Sequence, residues 1–194
     1  GHRRAPFPVS GRLPVVAVVR RPNVGKSTFF NRVLGRRDAI VDEQAGVTRD
    51  RHFALADWAG RSFFIVDTGG VIEGSDEPMD RLVRGQALVA AREADLIVFL
   101  VDGQEGAHPQ DERITEILRG TGRALLLVVN KLDNLPADEA RHDFWRLGLG
   151  DPLPVSAISG KGSGDVLDQI VAALPQREVQ APPEDVRVAV IGRP

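Results

Sequence analysis

The segment Arg20-Arg21-Pro22-Asn23-Val24-Gly25-Lys26-Ser27 has residue types and spacing suited to holding phosphate. It matches the pattern GxxxxGK[ST] at Gly25, Lys26 and Ser27, with Arg20 where the first glycine would stand. Consecutive backbone N–H groups from Val24 to Thr28 can cradle a β-phosphate at the positive end of a following helix. Lys26 would bridge β- and γ-phosphates, and the Ser27 hydroxyl would ligate Mg²⁺. Only three of the 25 basic residues are lysine: Lys26, Lys131 and Lys161. An ammonium can sit as a point charge between phosphates where a planar guanidinium cannot, and two of these three lysines fall in such motifs.

Three further groups follow in order. Asp67-Thr68-Gly69-Gly70 places a carboxylate where it can hold Mg²⁺ through water, and a glycine whose N–H can approach a γ-phosphate; a plain Asp/Gly turn has the same composition. Thr48 can offer the metal a second hydroxyl or be an ordinary exposed threonine. In Asn130-Lys131-Leu132-Asp133 the Asp133 carboxylate can accept from N1–H and the exocyclic amine of guanine, a pair adenine does not present. Asn130 can brace that loop, and the Lys131 stem can lie across the base. Ser156-Ala157 offers the Ala157 N–H to guanine O6.

Such groups need elements that bring them together. Fully apolar strands are expected at Val15–Val19, Leu96–Val101 and Leu125–Val129, with a short strand at Leu153–Ser156. Strands near Arg51–Trp58 and Arg61–Val66 flank Ala59-Gly60, the pattern of an antiparallel hairpin. Helices are expected at Lys26–Leu34, Pro78–Ala94, Pro109–Arg119 and Pro136–Leu147, and a last one carries Val166, Leu167, Ile170, Val171 and Leu174. Inward faces are Val83, Ala87, Ala90, Ala91 and Ala94 in the second helix, and Ile114, Ile117 and Leu118 in the third. Apolar strands alternating with amphipathic helices predict an α/β fold, a mostly parallel sheet with helices on both faces. Ligands of such sheets bind at the carboxyl ends of the strands, and each group above lies just past a strand.

The chain has 194 residues and an ordinary globular composition, 42% hydrophobic and 27% charged. Without cysteine it has no disulfide, zinc-thiolate site or cysteine nucleophile. Its longest apolar runs, Leu96–Val101 and Ala124–Val129, fall well short of the roughly 20 residues that span a bilayer, so a cytoplasmic protein without membrane contact is expected. Residues 1–37 hold nine Lys or Arg and no acid, leaving −11 for the rest against a total of −2. One end of the fold therefore meets an anion, or the N-terminal arm is simply basic. His2, His52, His108 and His142 have no metal-site spacing and read as surface or strand-end residues; Trp58, Phe29-Phe30 and Phe63-Phe64 read as core.

Residues 1–13 read as a flexible head, 14–175 as one domain, with an unperiodic loop at 35–50, and 176–185 as a linker. Val188-Ala189-Val190-Ile191-Gly192-Arg193-Pro194 repeats Val16-Ala17-Val18-Val19-Arg20-Arg21-Pro22 at five of seven positions. Residues 186–194 thus read as the truncated start of a second copy.

Arg21-Pro22-Asn23-Val24-Gly25-Lys26-Ser27-Thr28, Gly46-Val47-Thr48-Arg49-Asp50 and Asp67-Thr68-Gly69-Gly70 resemble the first G domain of the Der (EngA) family, bacterial tandem-G-domain GTPases of the translation-factor class. The resemblance covers residues 14–194. It implies a Ras-like P-loop GTPase fold with a six-stranded sheet, GTP and GDP as ligands with Mg²⁺, and hydrolysis of GTP. It also implies a part in maturing the large ribosomal subunit, through contact with that subunit or its rRNA in a longer protein. A second G domain and a KH-like domain complete that family's chain and are absent here. By this resemblance Asn23, Lys26, Thr48 and Gly70 act in catalysis. Ras-type enzymes place a glutamine after Gly70 to orient water; Val71 cannot do so. Several GTPases with a hydrophobic residue there use K⁺, held partly by the residue matching Asn23, which is otherwise a turn residue with no ion. Ala45 replaces the family's proline, and Arg20 replaces a glycine that the repeat keeps as Gly192. An arginine there would crowd the loop or turn its charge to phosphate, and a nucleotide-binding switch module with negligible turnover is the rival reading. A P-loop ATPase or small-molecule kinase is disfavoured by the Asn-Lys-x-Asp motif.

Overall fold

The computed structural model describes residues 13–21, 53–69, 78–130, 142–156 and 162–175. The expected helix at 26–34 and loop at 35–50 lie outside them, as do the head, the linker and the repeat.

Runs of apolar and β-branched residues form the strands: β1 (Val15–Arg20), β2 (Phe53–Trp58), β3 (Arg61–Asp67), β4 (Leu96–Asp102), β5 (Ala124–Asn130) and β6 (Leu153–Pro154). They make one sheet in the order β2-β3-β1-β4-β5-β6. β1 pairs in parallel with β3 and β4, β5 lies parallel to β4, and β6 parallel to β5. Only the β2–β3 hairpin is antiparallel. Its turn has Ala59 at φ 52° and Gly60 at φ 76°, the two positive values of a type I′ turn, whose twist matches the strands it joins.

Among the described residues, helices lie in the connections from β3 to β4 and from β4 to β5, the usual crossover of a parallel pair. Helices α1 (Met79–Glu93) and α2 (Pro109–Arg119) cover one face, meeting Val15, Ala17, Val19, Val66, Ile97 and Phe99 among others. Helix α3 (Ser163–Ala173) covers the other with Val166, Leu167 and Ile170, against Val16, Val18, Ile65 and Val98. β1 and β4 are buried along their whole length, which explains their unbroken hydrophobicity. Fully burying one such side chain contributes about 1.5–3 kcal/mol. Among the described residues no helix is long and apolar enough to cross a membrane.

Several expectations shift at their edges. β1, β3, β4 and β5 each run one residue beyond their apolar stretch, to Arg20, Asp67, Asp102 and Asn130. Ladder bonding needs only backbone, so a polar last residue does not end it, and Arg20 still pairs with Leu100 and Asp102 with Asn130. The last strand is shorter than expected: Pro154 has no N–H, and after it Val155 adds one bond to the Val129 carbonyl. Pro78 and Ala94 are caps of α1 rather than members. Ala91 and Ile117 are half-buried, while Gln86, Asp111 and Thr115 take inward places. Of the helix expected at Pro136–Leu147, residues 142–145 are helical and 136–141 lie outside the described residues.

Candidate functional site

Parallel strands all point their carboxyl ends the same way, so their last residues share one edge. Arg20, Asp67, Asp102 and Asn130 end β1, β3, β4 and β5 there, and Ser156 follows β6 two residues on. The register sets Asp67 beside Val18 of β1, and Asp102 beside Asn130. Asn130 and Ser156 are buried. The Gly103 N–H donates to the Asn130 carbonyl at 2.7 Å, and the Gln104 N–H to Asp102 Oδ1 at 2.9 Å. The loops after β4 and β5 are thus tied at their roots. Of the residues the sequence singled out, Asp67, Asn130 and Ser156 are placed together on this edge. Asn23, Val24, Gly25, Lys26, Ser27, Thr28, Thr48, Gly70, Lys131, Asp133 and Ala157 lie outside the described residues.

Arg20 turns its side chain toward Asp67, while the loop it was expected to crowd lies outside the described residues. Its side chain turns beneath the edge and is only 4% exposed, against 14% for Asp67. Nε donates to Asp67 Oδ1 and Nη2 to Asp67 Oδ2, both at 3.4 Å, a two-pronged ion pair at the long end of hydrogen bonding. The guanidinium also passes under the chain at Gly69: a Cβ added there would stand 3.0 Å from Arg20 Cζ and Nε. Small size at Gly69 therefore makes room for Arg20.

The backbone of Arg20 is fixed from the side by α1. Its N–H donates to Gln86 Oε1 at 3.1 Å, and its carbonyl accepts from Gln86 Nε2 at 3.0 Å. The Thr68 hydroxyl lies 2.7 Å from the Val18 carbonyl and 3.0 Å from Gln86 Oε1, and its single proton goes to the nearer. One buried amide therefore joins the end of β1 to α1, and the Thr68 hydroxyl joins the turn after β3 to β1. Gln86 was not singled out from the sequence. Its signal was there, three residues after Val83 and four before Ala90, on the stripe that faces the sheet.

Arg21, also buried, turns to the other side. Nη2 donates to Glu105 Oε2 at 3.1 Å, and Nε stands 3.0 Å from Asp111 Oδ1, close enough to pair electrostatically but too bent for a hydrogen bond. Asp111 is the third residue of α2, and the two ends of its cap are reciprocal. The His108 N–H donates to Asp111 Oδ2 at 2.8 Å and the Gln110 N–H to His108 Nδ1 at 3.1 Å. Burial raises the Asp111 carboxyl above its ordinary 3.8, outweighing the lowering by the His108 N–H and the Arg21 charge. His108 is thus a helix cap, and His142 packs edge-on to Trp145 at 5.2 Å.

Among the described residues no three His, Cys, Asp or Glu are grouped to hold a metal ion. The Mg²⁺ expected from Ser27, Thr48 and Asp67 does not fit the arrangement at Asp67. Both oxygens of that carboxylate already face a buried guanidinium, so a hydrated dication would meet a like charge there.

A family model described as 50S ribosome-binding GTPase matches residues 15–131. The chain is 56% identical over 182 residues to GTPase Der of Gemmatimonas aurantiaca, a match covering 94% of this chain and 41% of that protein. It thus spans about two-fifths of the length of the curated relatives it matches. Among solved structures it resembles Era in complex with MgGDPNP and a segment of 16S ribosomal RNA, at 29% identity and a TM-score of 0.65, covering 89% of this chain and 60% of that one. It also resembles a variant of Aquifex aeolicus Era bound to GDP·AlF4⁻, at 29% identity and a TM-score of 0.66, covering 87% of this chain and 59% of that one. With that family match spanning most of the described sheet, and with a six-stranded α/β architecture that sets Asp67, Asn130 and Ser156 on one edge, the chain belongs to the family of 50S ribosome-binding GTPases.

Proposed function

We propose that this chain is a guanine-nucleotide domain that hydrolyses GTP to GDP and phosphate. It would do so within a longer protein that acts in assembly of the large ribosomal subunit. One observation carries the reading: parallel pairing sets Arg20, Asp67 and Asn130 at strand ends on a single edge, with Ser156 just beyond, in the spatial order β3, β1, β5, β6. Residues 14–175 form the G domain, 176–185 a linker and 186–194 the start of a second G domain.

In this reading the N–H groups of Val24, Gly25, Ser27 and Thr28 hold the β-phosphate. Lys26 offsets charge between the β- and γ-phosphates, and the Gly70 N–H approaches the γ-phosphate. Thr48 would offer a second hydroxyl to a metal ion at the same end. Asp133 selects guanine, Lys131 covers the base, Asn130 and Ser156 brace the loops, and Ala157 donates to O6. Membership of this family implies a nucleotide ligand, typically with magnesium, and at Asp67 this chain departs from that pattern. Asn23 would hold a K⁺ ion, which would supply positive charge toward the phosphates in a chain whose Val71 cannot orient water. An rRNA-bearing partner is supported by the Era complex, whose chain carries ribosomal RNA.

Titration with GTP, GDP and ATP, followed by phosphate release in KCl and in NaCl at equal ionic strength, tests the reading. Guanine nucleotides should bind orders of magnitude more tightly than ATP, hydrolysis should be faster in KCl, and Asn23→Ala should remove that difference. Equal affinity for ATP would overturn the guanine assignment, and equal rates in both salts the potassium.

A further inference from the structure

A carboxylate at the end of β3 has two oxygens to offer, and in this chain both face Arg20. The pair is nearly closed off from water, with Arg20 4% and Asp67 14% exposed, so it is weakly screened. Burying a guanidinium is costly unless its charge is answered, and Asp67 answers it. A divalent cation drawing on Asp67 would have to share the carboxylate with a neighbouring positive charge or leave Arg20 buried without that partner. Either course weakens the hold on the metal. The same guanidinium belongs to the residue that ends β1, so its positive charge is fixed at the carboxyl edge of the sheet. Escape is also restricted. Gln86 pins the Arg20 backbone on both sides, and the chain at Gly69 leaves just enough space for the side chain to lie where it does.

We propose that Arg20 is an internal counter-ion for Asp67 that takes over part of the charge-neutralising role of the divalent cation, so that guanine nucleotide binds this domain with little dependence on magnesium. The inference rests on the guanine-nucleotide reading above and deepens it. In a chain with glycine at position 20, Asp67 is released to the metal's water shell and affinity follows magnesium. In this chain the cation is built in, and adding magnesium changes the charge at Asp67 little.

The test is a titration of the full chain with N-methylanthraniloyl-GDP, in magnesium chloride and in EDTA, for the parent, Arg20→Gly and Arg20→Gln. Gln keeps the stem of the side chain and a polar head and removes the charge, whereas Gly removes the whole side chain, so the two variants separate charge from bulk. The parent Kd should differ by less than about threefold between the two buffers, and each variant's by about tenfold or more, the worth of roughly one charge-assisted hydrogen bond. A strong magnesium dependence in the parent overturns the proposal without reference to either variant, so a variant that fails to fold does not rescue it. Equal dependence in parent and folded variants overturns it as well. Failure of the parent to bind the probe in either buffer would instead overturn the guanine-nucleotide reading beneath it.

Discussion

Gln86 grips the peptide of Arg20 from both sides, accepting from its N–H at 3.1 Å and donating to its carbonyl at 3.0 Å. The side-chain amide behaves as one residue of an extra strand laid beside the end of β1, contributed by a helix. The Thr68 hydroxyl donates to the Val18 carbonyl at 2.7 Å, so α1, β1 and the turn after β3 are linked in series at this point. Gln86→Leu keeps the volume and removes both bonds from a buried backbone. It should destabilise the domain by about 2–6 kcal/mol, two buried groups losing partners at about 1–3 kcal/mol each. Urea denaturation checks this, and a loss within about 0.5 kcal/mol, the range of an ordinary surface change, would show that the grip holds nothing.

Base choice has its own test at Asp133. Two hydrogen bonds from guanine to a charged acceptor are worth roughly 1.5–3 kcal/mol each. Asp133→Asn should therefore lose GTP affinity by orders of magnitude and shift preference toward xanthosine triphosphate, read by competition against a labelled guanine nucleotide. Unchanged preference for GTP in the variant would remove Asp133 from the base site.

The buried Asp111 gives a pH signature of unusual sign. Its folded value lies above 3.8, chiefly because burial penalises the charged form. Between 3.8 and that raised value the folded state binds more protons than the unfolded state, so this group's contribution to stability grows as pH falls. Comparing parent with Asp111→Asn cancels most other carboxylates. From about pH 7 down to about pH 4 the parent should gain stability relative to the variant, measured by urea denaturation at each pH. The reverse slope, typical of a carboxylate stabilised by its partners, would contradict the assignment of burial as the dominant cause.

The hairpin turn offers a gain rather than a loss. Ala59 sits at φ 52°, where an alanine Cβ crowds its own backbone at a cost of about 1–2 kcal/mol. Asparagine tolerates this region and is favoured at that place in a type I′ turn. Ala59→Asn should raise the denaturation midpoint by an amount worth about 1 kcal/mol without changing the slope. A lower midpoint would mean that the turn does not hold this conformation in solution.

The sheet was legible because its strands are buried on both faces and read as unbroken apolar runs, Val15–Val19 and Leu96–Val101 above all. The hairpin was legible from Ala59-Gly60, and α2 from Pro109 at its start. Motif order placed Asp67, Asn130 and Ser156 on one edge, since each follows a strand. Less visible were the partners that polar residues choose. Arg20 read as an intruder into a loop, and its pairing with Asp67, 47 residues away, has no local trace. Gln86 and Asp111 lie on helical stripes that hydropathy assigns to the core, where a polar side chain looks like a gap in the pattern. Their partners, the Arg20 backbone and Arg21, come from 66 and 90 positions earlier in the chain.

The strand order also acts as a ruler. Neighbouring strands in a sheet stand about 4.8 Å apart, so β5 lies about 10 Å from β1, with β4 between them. A ligand held by its charged end after β1 and by its ring after β5 must match that length. No side chain can alter it. β4 pairs in parallel on both sides, over residues 96–100 with β1 and 96–102 with β5, so widening the gap would break two ladders at once. The distance between the two strand ends is set by the hydrogen-bond spacing of the backbone.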